Sequence, residues 1–398
     1  MALTKFIAVN IIETLLRIFP LPSKTGIIKI GNPSRDSPVF LTCNYHLTVQ
    51  RMKRALEGMD AYLLVVNSRG INVWCAATGG HFTNHDVISV LKTSGIEELV
   101  DHRNVILPQL AATGVEAKVI QEKTGWRVIW GPVYAKDISV FMESNFKKTS
   151  RMREVEFPCR QRIEMAVAWA FPISIILTLI MIPLWREAVL PLILIVWGLS
   201  FLLFTSFPLY SRWLNSGGKR IGFVFFDFGR GGLQLILWGV FILGLVACSI
   251  VVGDFTWSLI LRWSFLSFIV VLILSVDIMG STPVYKSGLL EDRFLRVVVD
   301  KERCKGARFC EQVCPRNCFQ IDENRHITTM PRADRCIQCG ACIVQCPFNA
   351  LYFKGPEGKI IPAETIREFK LNLLGKRLVK RVLNGELTQP HISRKGFG

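Results

Sequence analysis

Eight of the chain's twelve cysteines fall between positions 304 and 346, and their spacing constrains that stretch more tightly than anything else in the 398 residues. Cys336, Cys339, Cys342 and Cys346, the last followed by Pro347, form a C-x2-C-x2-C-x3-C-P run. In such a run three closely spaced thiolates wrap one iron-sulfur cube, while the proline-marked fourth reaches across to the other cluster. Cys304, Cys310 and Cys314, the last followed by Pro315, repeat the spacing with Ala307 where a second cysteine would stand. The expected partition is Cys314, Cys336, Cys339 and Cys342 around a complete 4Fe-4S cluster, and Cys304, Cys310 and Cys346 around a second one. Three thiolates suit 3Fe-4S, or a 4Fe-4S with one labile iron. Paired runs ending in Cys-Pro argue against a zinc site. Cysteines spaced for clusters rather than for disulfides imply a reducing compartment.

Half of all residues are apolar, but unevenly so. Residues 162–280 are dominated by Ile, Leu, Val, Phe and Trp, between flanks of ordinary soluble composition. Four segments, 163–183, 189–209, 233–252 and 257–278, reach the length of about 20 residues that an α-helical span needs. Trp185, Trp213 and Trp257 stand at their ends, as interfacial aromatics do. The loop at Gly253 and Asp254 is short and acidic and suits the outer side, whereas the runs 146–162 and 211–220 are basic and suit the cytoplasmic side. An even number of spans returns the chain to its starting face, so both soluble parts are expected at the cytoplasmic face of the inner membrane. Residues 222–230 carry Asp227 and read as an interfacial or re-entrant piece.

The net charge of +17 does not point to nucleic acid, because the basic residues lie beside the apolar segments and in the tail at 361–398. Membrane lipid is the expected partner of that charge. Residues 1–23 carry Lys5, Glu13 and Arg17 through an apolar pattern and end without a cleavage site. They read as an amphipathic surface helix, or as a helix packed on the soluble domain.

Residues 24–150 read as a compact α/β domain. Strand-like runs lie at 39–42, 61–66, 71–74 and 127–130, helical patterns at 48–58 and 84–94, and turns at Gly70 and Gly114. Cys75 falls between a strand and a helix beginning near Asn84, where backbone N–H groups favour a thiolate. A lone cysteine beside Trp74 also suits a packed core. His81 and His85, four apart, have the spacing to flank a metal on one helical face, or to be surface polar residues. Cys43, Cys159 and Cys248 read as ordinary buried or membrane thiols.

The run Asn72-Val73-Trp74-Cys75-Ala76-Ala77 resembles the cap-helix motif of the mercury-methylating corrinoid proteins, relatives of the corrinoid iron-sulfur protein of acetyl-CoA synthesis. Segments 31–48, 61–70, 105–120 and 125–138 resemble the same domain in the same order. Residues 295–360 resemble a bacterial-type dicluster ferredoxin of α+β fold and, with it, that family's separate ferredoxin partner. Cys318 resembles the additional cysteine of seven-iron ferredoxins, an unligated buried thiol or else a substitute ligand. The chain thus resembles a fusion of the pair: an α/β corrinoid-binding domain, an α-helical transmembrane domain and a ferredoxin domain.

The resemblance implies a cobalamin-type corrinoid bound base-off, with Cys75 sulfur as the lower ligand to cobalt and Asn72, Val73, Trp74, Ala76 and Ala77 beside it, the small residues letting the helix lie close to the macrocycle. It implies a corrinoid-dependent methyltransferase, in which methyl leaves cobalt with its bonding electrons for an electrophile such as Hg(II). The clusters would supply electrons that restore Co(I). A methyl-donor corrinoid, or a folate or pterin methyltransferase, is the implied partner, and the electron donor is left unspecified. Three departures stand out: Thr78-Gly79-Gly80 replaces the family's Gly-Lys-Gly, no cysteine pair follows Cys346, and Ala307 interrupts the first cluster run. The alternative is a membrane-associated iron-sulfur electron-transfer protein without methyltransferase activity.

Overall fold

The computed structural model describes residues 3–17, 19–214, 233–281, 295–355, 358–369, 382–383 and 386–387. In chain order α1 (Leu3–Leu15) leads into β1 (Gly26–Ile30), β2 (Val39–Cys43), α2 (His46–Ala55), β3 (Ala61–Val66), α3 (Val73–Gly79), α4 (Asn84–Thr93) and α5 (Ile96–Leu99). Then come β4 (Asn104–Leu107), a 3-10 turn (Gln109–Thr113), α6 (Ala117–Thr124), β5 (Arg127–Trp130), α7 (Ile138–Glu143) and α8 (Ser150–Arg153). The helices α9 (Cys159–Leu184), α10 (Val189–Thr205), α11 (Phe207–Leu214), α12 (Leu233–Val252) and α13 (Trp257–Ser281) follow. The last part holds β6 (Arg296–Val299), α14 (Phe309–Val313), β7 (Gln320–Asp322), β8 (Ile327–Thr329), α15 (Ala341–Gln345), β9 (Leu351–Lys354), β10 (Ile360–Ile361) and α16 (Ala363–Phe369). Two compact units result. One joins Met1–Pro20, Val155–Glu291 and Asp334–Ile337; the other joins Leu21–Glu154, Asp292–Ala333 and Gln338–Gly398.

In the second unit, five strands form a sheet in the order β1-β3-β2-β4-β5, parallel except for the antiparallel edge strand β1. β2 and β3 are buried at every residue, as parallel strands covered on both faces must be. Their side chains divide by alternation. Val39, Leu41, Leu64, Val66, Val105 and Leu107 join α3, α4 and α6 in one apolar cluster. Phe40, Leu63, Val65 and Ile106 join α2 and α7 in another. The chain runs from β2 to β3 on one side, then crosses back over β2 to β4, so the carboxyl ends of β2 and β4 flank a topological switch point.

Strands expected at 61–66 and 127–130 are β3 and β5, and that at 39–42 is β2 extended by Cys43. The strand expected at 71–74 does not form. Asn72 is instead an N-cap, and the following residues turn into α3. The short strands β1 and β4 were not anticipated.

The ferredoxin-like part is a doubled unit. α14 and α15 are each five residues long and each begins after a left-handed residue, Arg308 (φ 61) and Gly340 (φ 78). Each ends on a proline-marked cysteine, Cys314 (φ −71, ψ 114) and Cys346 (φ −73, ψ 114). β6 pairs antiparallel with β9, and β7 with β8. Arg308 takes up a conformation that its counterpart gives to glycine, and its guanidinium pairs with Glu323.

In the first unit, among the described residues, three helical segments are long and apolar enough to cross a membrane: Cys159–Leu184, Arg186–Thr205 and Trp257–Leu274. The expected segments 163–183, 189–209 and 257–278 overlap these three, and α12 covers the segment 233–252, with Trp238–Val252 as its fully described apolar part. Residues 222–230 lie outside the described residues. Helix α1 packs on α9, and its polarity is inverted relative to a surface helix of a soluble protein. Asn10, Glu13 and Thr14 are buried, while Ile7, Ile11 and Ile12 are exposed. Arg17 pairs with Glu164 of α9 at 3.3 Å.

Gly114 fixes how closely α3 sits on its neighbours. A Cβ there would meet Phe82 O at 2.3 Å and Ala77 O at 2.9 Å, and both obstacles are backbone. Gly114→Ala is therefore expected to cost about 1–3 kcal/mol, as overpacking does. A lowered thermal midpoint of the purified chain checks this, and an unchanged midpoint contradicts the close approach.

Candidate functional site

A seven-residue helix has little stability of its own, so α3 depends on what pins it. The first pin is Asn44, at the carboxyl end of β2 and 4% exposed. Its Oδ1 accepts from the amides of Ser68 and Gly70, at 2.9 Å each, and the Ser68 hydroxyl lies 2.9 Å from the same oxygen. The β3–α3 loop is thereby tied to the neighbouring strand. Gly70 is required there twice over. Its φ is +70°, and a Cβ would stand 2.9 Å from Pro22 N.

The second pin is Asn72. Its side-chain oxygen accepts from the Cys75 amide at 2.9 Å, the usual N-cap bond, while its Nδ2 donates to Cys75 Sγ at 3.4 Å. One side chain therefore caps the helix and orients the sulfur. Gly80, left-handed at φ 77°, closes the other end, and the His81 amide returns to Ala76 O at 2.7 Å.

The faces of α3 are sharply unequal. Val73, Ala76, Ala77 and Thr78 are buried, Trp74 is half-buried, and Cys75 is exposed. This overturns the core reading of Cys75. It also gives Ala76 and Ala77 a different neighbour from the one expected: their small side chains let α3 lie against the 3-10 turn and Gly114, inside the protein. His81 lies between α3 and α4 and His85 within α4, so the two do not share a helical face. α4 opens with a capping box from Thr83 and Asp86. Cys43 is fully buried, and burial pushes its thiol up.

The cysteine-rich part brings one predicted set together. Cys304, Cys310 and Cys346 line a single small cavity together with Ala307. Thr328, 3% exposed, closes it: its amide donates to Cys304 Sγ at 3.4 Å and its hydroxyl lies 3.1 Å from Cys310 Sγ. Burial pushes the Cys310 thiol up to about 11, against the Thr328 hydroxyl, which favours the thiolate. A site of that kind suits a sulfur deprotonated by bound metal rather than a free nucleophile.

The doubled unit explains Cys318. The amide of Ala350 donates to Cys346 Sγ at 3.4 Å, and the amide of Cys318 donates to Cys314 Sγ at 3.3 Å in the equivalent place. Cys318 is 1% exposed, which favours the buried-thiol reading. Cys339 lies two residues ahead of α15 and Cys342 within it, and α15 packs on α14. Cys336 is half-buried just ahead of them in sequence. Among the described residues no three His, Cys, Asp or Glu groups converge as ligands of one metal ion. No disulfide links any of the twelve cysteines, all of which are described.

Asn44 and Thr328 escaped the sequence reading. A lone Asn after an apolar strand and a Thr eighteen residues from its cysteine have no spacing signature; the partners they bind come from remote segments.

Residues 17–142 match the family model of the CO dehydrogenase/acetyl-CoA synthase delta subunit, and residues 303–350 match that of the 4Fe-4S dicluster domain. Among curated proteins the chain is similar to the acetyl-CoA decarbonylase/synthase complex subunit gamma of Archaeoglobus fulgidus, 36% identical over 129 residues, 32% of this chain and 27% of that protein. The corresponding subunit of Methanopyrus kandleri is 34% identical over 126 residues, 31% of this chain and 27% of that protein. Subunit gamma 2 of Methanosarcina mazei is 35% identical over 131 residues, 32% of this chain and 27% of that protein. The chain thus spans about a quarter of the length of these relatives.

The geometry predicts unequal thiol reactivity. In the metal-free native chain Cys75 should be alkylated by iodoacetamide readily, and Cys43 and Cys318 only after unfolding. Peptide mass spectrometry checks this, and a protected Cys75 would contradict the outward-facing sulfur.

Proposed function

We propose that this chain is a corrinoid-dependent methyl-transfer protein carrying its own iron-sulfur reductant. The observation that carries the reading is Cys75, an exposed sulfur held by Asn72 on an otherwise buried helix, in a domain related to the corrinoid iron-sulfur subunits of acetyl-CoA metabolism. A corrinoid bound there supplies a cobalt centre that, when reduced, accepts a methyl group and then passes it on. The Cys75 sulfur is the group that would hold that cobalt. The Asn72 donor fixes the rotamer of that sulfur and moderates its electron donation, as outer hydrogen bonds to metal ligands do. Trp74, half-buried beside it, supplies apolar surface at the rim.

The cysteine-rich part holds two clusters in this reading. Cys314, Cys336, Cys339 and Cys342 bind a 4Fe-4S cluster, and Cys304, Cys310 and Cys346 bind the other. The methyl of Ala307 where a fourth sulfur would stand favours 3Fe-4S at the latter. Amide donors to Cys304, Cys314 and Cys346 tune the potentials.

In this reading the protein lies in a membrane, and the surface of the long helices supports it. Leu179, Leu184, Leu190, Leu194, Leu261 and Phe265 are all more than 60% exposed on them, a surface that water would not tolerate but lipid would. Both soluble parts face the cytoplasm, with the basic runs beside the helix ends. The methyl donor is a methylated corrinoid or a folate or pterin methyltransferase. The family match supports the corrinoid iron-sulfur side of the resemblance and does not single out mercury; the absent lysine at Thr78-Gly79-Gly80 weighs the same way. Hg(II) is therefore one acceptor to be tried among several.

Two outcomes are expected. The reconstituted wild-type chain should bind one cobalt and carry methyl groups from a methylated corrinoid to an electrophilic acceptor. Cys75→Ala should retain its iron and lose the transfer by at least about a hundredfold; transfer at the wild-type rate sinks the reading. Paramagnetic resonance of the oxidised chain should show a 3Fe-4S signal, and Ala307→Cys should silence it by completing a four-iron cluster. A silent wild-type spectrum removes the consequence drawn from Ala307.

A further inference from the structure

The ferredoxin-like part and the α/β domain belong to one unit, and the bonds between them converge on one place. Gln345, at the end of α15 and 8% exposed, inserts its amide beneath the 3-10 turn. Its Nε2 donates to Ala112 O at 2.8 Å and Val115 O at 2.6 Å, and its Oε1 accepts from the Ala117 amide at 3.3 Å. Lys148 closes the neighbouring gap. Its Nζ donates to Gln109 Oε1 at 2.7 Å and Gly131 O at 3.1 Å on its own side, and to Gln312 O of α14 at 2.9 Å across the junction. Arg153 pairs with Glu311 at 3.2 Å, and Arg367 with Glu116 at 3.8 Å, all four side chains largely buried.

The apolar contacts are equally selective. Val313 and Ala341 are buried in the same cluster as Ala76, Ala77, Ala111 and Ala112, and Cys339 packs against it. Cys304 and Cys310 are not part of that cluster and line their own cavity. The 3-10 turn touches α15 on one side and α3 on the other. Polar groups buried this way are costly to part without replacement, so the junction is a built-in seat rather than a passing encounter.

We propose that Gln345 and Lys148 are positioning residues. They hold the Cys339 side of the ferredoxin-like part against the 3-10 turn beneath Cys75, so that the four-cysteine cluster, and not the Cys304–Cys310–Cys346 cluster, delivers electrons to a cofactor on Cys75. This rests on the reading of Cys75 as a corrinoid ligand. Each delivery moves one electron: the four-cysteine cluster is oxidised by one, and cobalt passes from Co(II) to Co(I). The three-cysteine cluster receives the replacement electron from a low-potential one-electron donor, for which titanium(III) citrate substitutes in vitro.

The test uses the full chain with both clusters in place. Hydrogen exchange, measured without cobalt, should find residues 109–117 protected. Gln345→Ala and, separately, Lys148→Met should speed their exchange at least about tenfold at unchanged iron content. The two variants sit on opposite sides of the junction, so a folding failure in one leaves the other to decide. After cobalamin is added and partly reduced, the Co(II) spin should couple more strongly to the four-cysteine cluster than to the three-cysteine one, and Gln345→Ala should weaken that coupling. Unchanged exchange in both variants overturns the seat, and stronger coupling to the three-cysteine cluster overturns the route. A wild-type chain that takes up no cobalt overturns the functional reading and the route with it, while the exchange data still decide the seat.

Discussion

The account depends on holding one sulfur still at the surface of a helix too short to fold alone. Two asparagines do this from opposite ends of the loop: Asn44 ties the strand-to-helix turn to β2, and Asn72 caps α3 while bonding the sulfur. Everything else about α3 follows from close packing. Ala76, Ala77 and Gly114 have no bulk to spare, so the helix rests directly on the 3-10 turn and turns Cys75 outward. The site lies where an open α/β sheet with this strand order offers one, beyond the carboxyl ends of its strands.

The same turn is where the ferredoxin-like part is attached. α15 reaches it with Gln345, and α14 is joined beside it through Lys148 and Arg153. The ferredoxin-like part and α3 thus share one supporting segment. The doubling inside the ferredoxin-like part is preserved in backbone down to the dihedrals of Cys314 and Cys346, and is broken in chemistry at Ala307. The doubled backbone carries Cys339 in one half and Ala307 at the equivalent place in the other.

Much of this was legible in the sequence, for definable reasons. Cluster ligands are read from local spacing, and Cys304, Cys310 and Cys346 line one cavity. Buried parallel strands announce themselves as apolar runs, and β2, β3 and β5 appeared where expected. What failed was non-local or locally ambiguous. Ile71–Trp74 has the composition of a strand, and the capping bond of Asn72 decides for helix instead. The partners of Asn44, Thr328 and Gln345 lie 18 or more residues away, so no pattern within a window reveals them. The small residues of the cap were read correctly as permitting close approach, but the surface approached is the protein's own. For α1, amphipathicity alone does not say which face is covered; here the polar residues Asn10, Glu13 and Thr14 are the buried ones.

The central claim is a bond between Cys75 sulfur and cobalt, and X-ray absorption at the cobalt edge of the reconstituted chain measures it most directly. The account predicts one sulfur scatterer at bonding distance in the wild type and none in Cys75→Ala. A wild-type spectrum fitted by nitrogen and oxygen alone would contradict it.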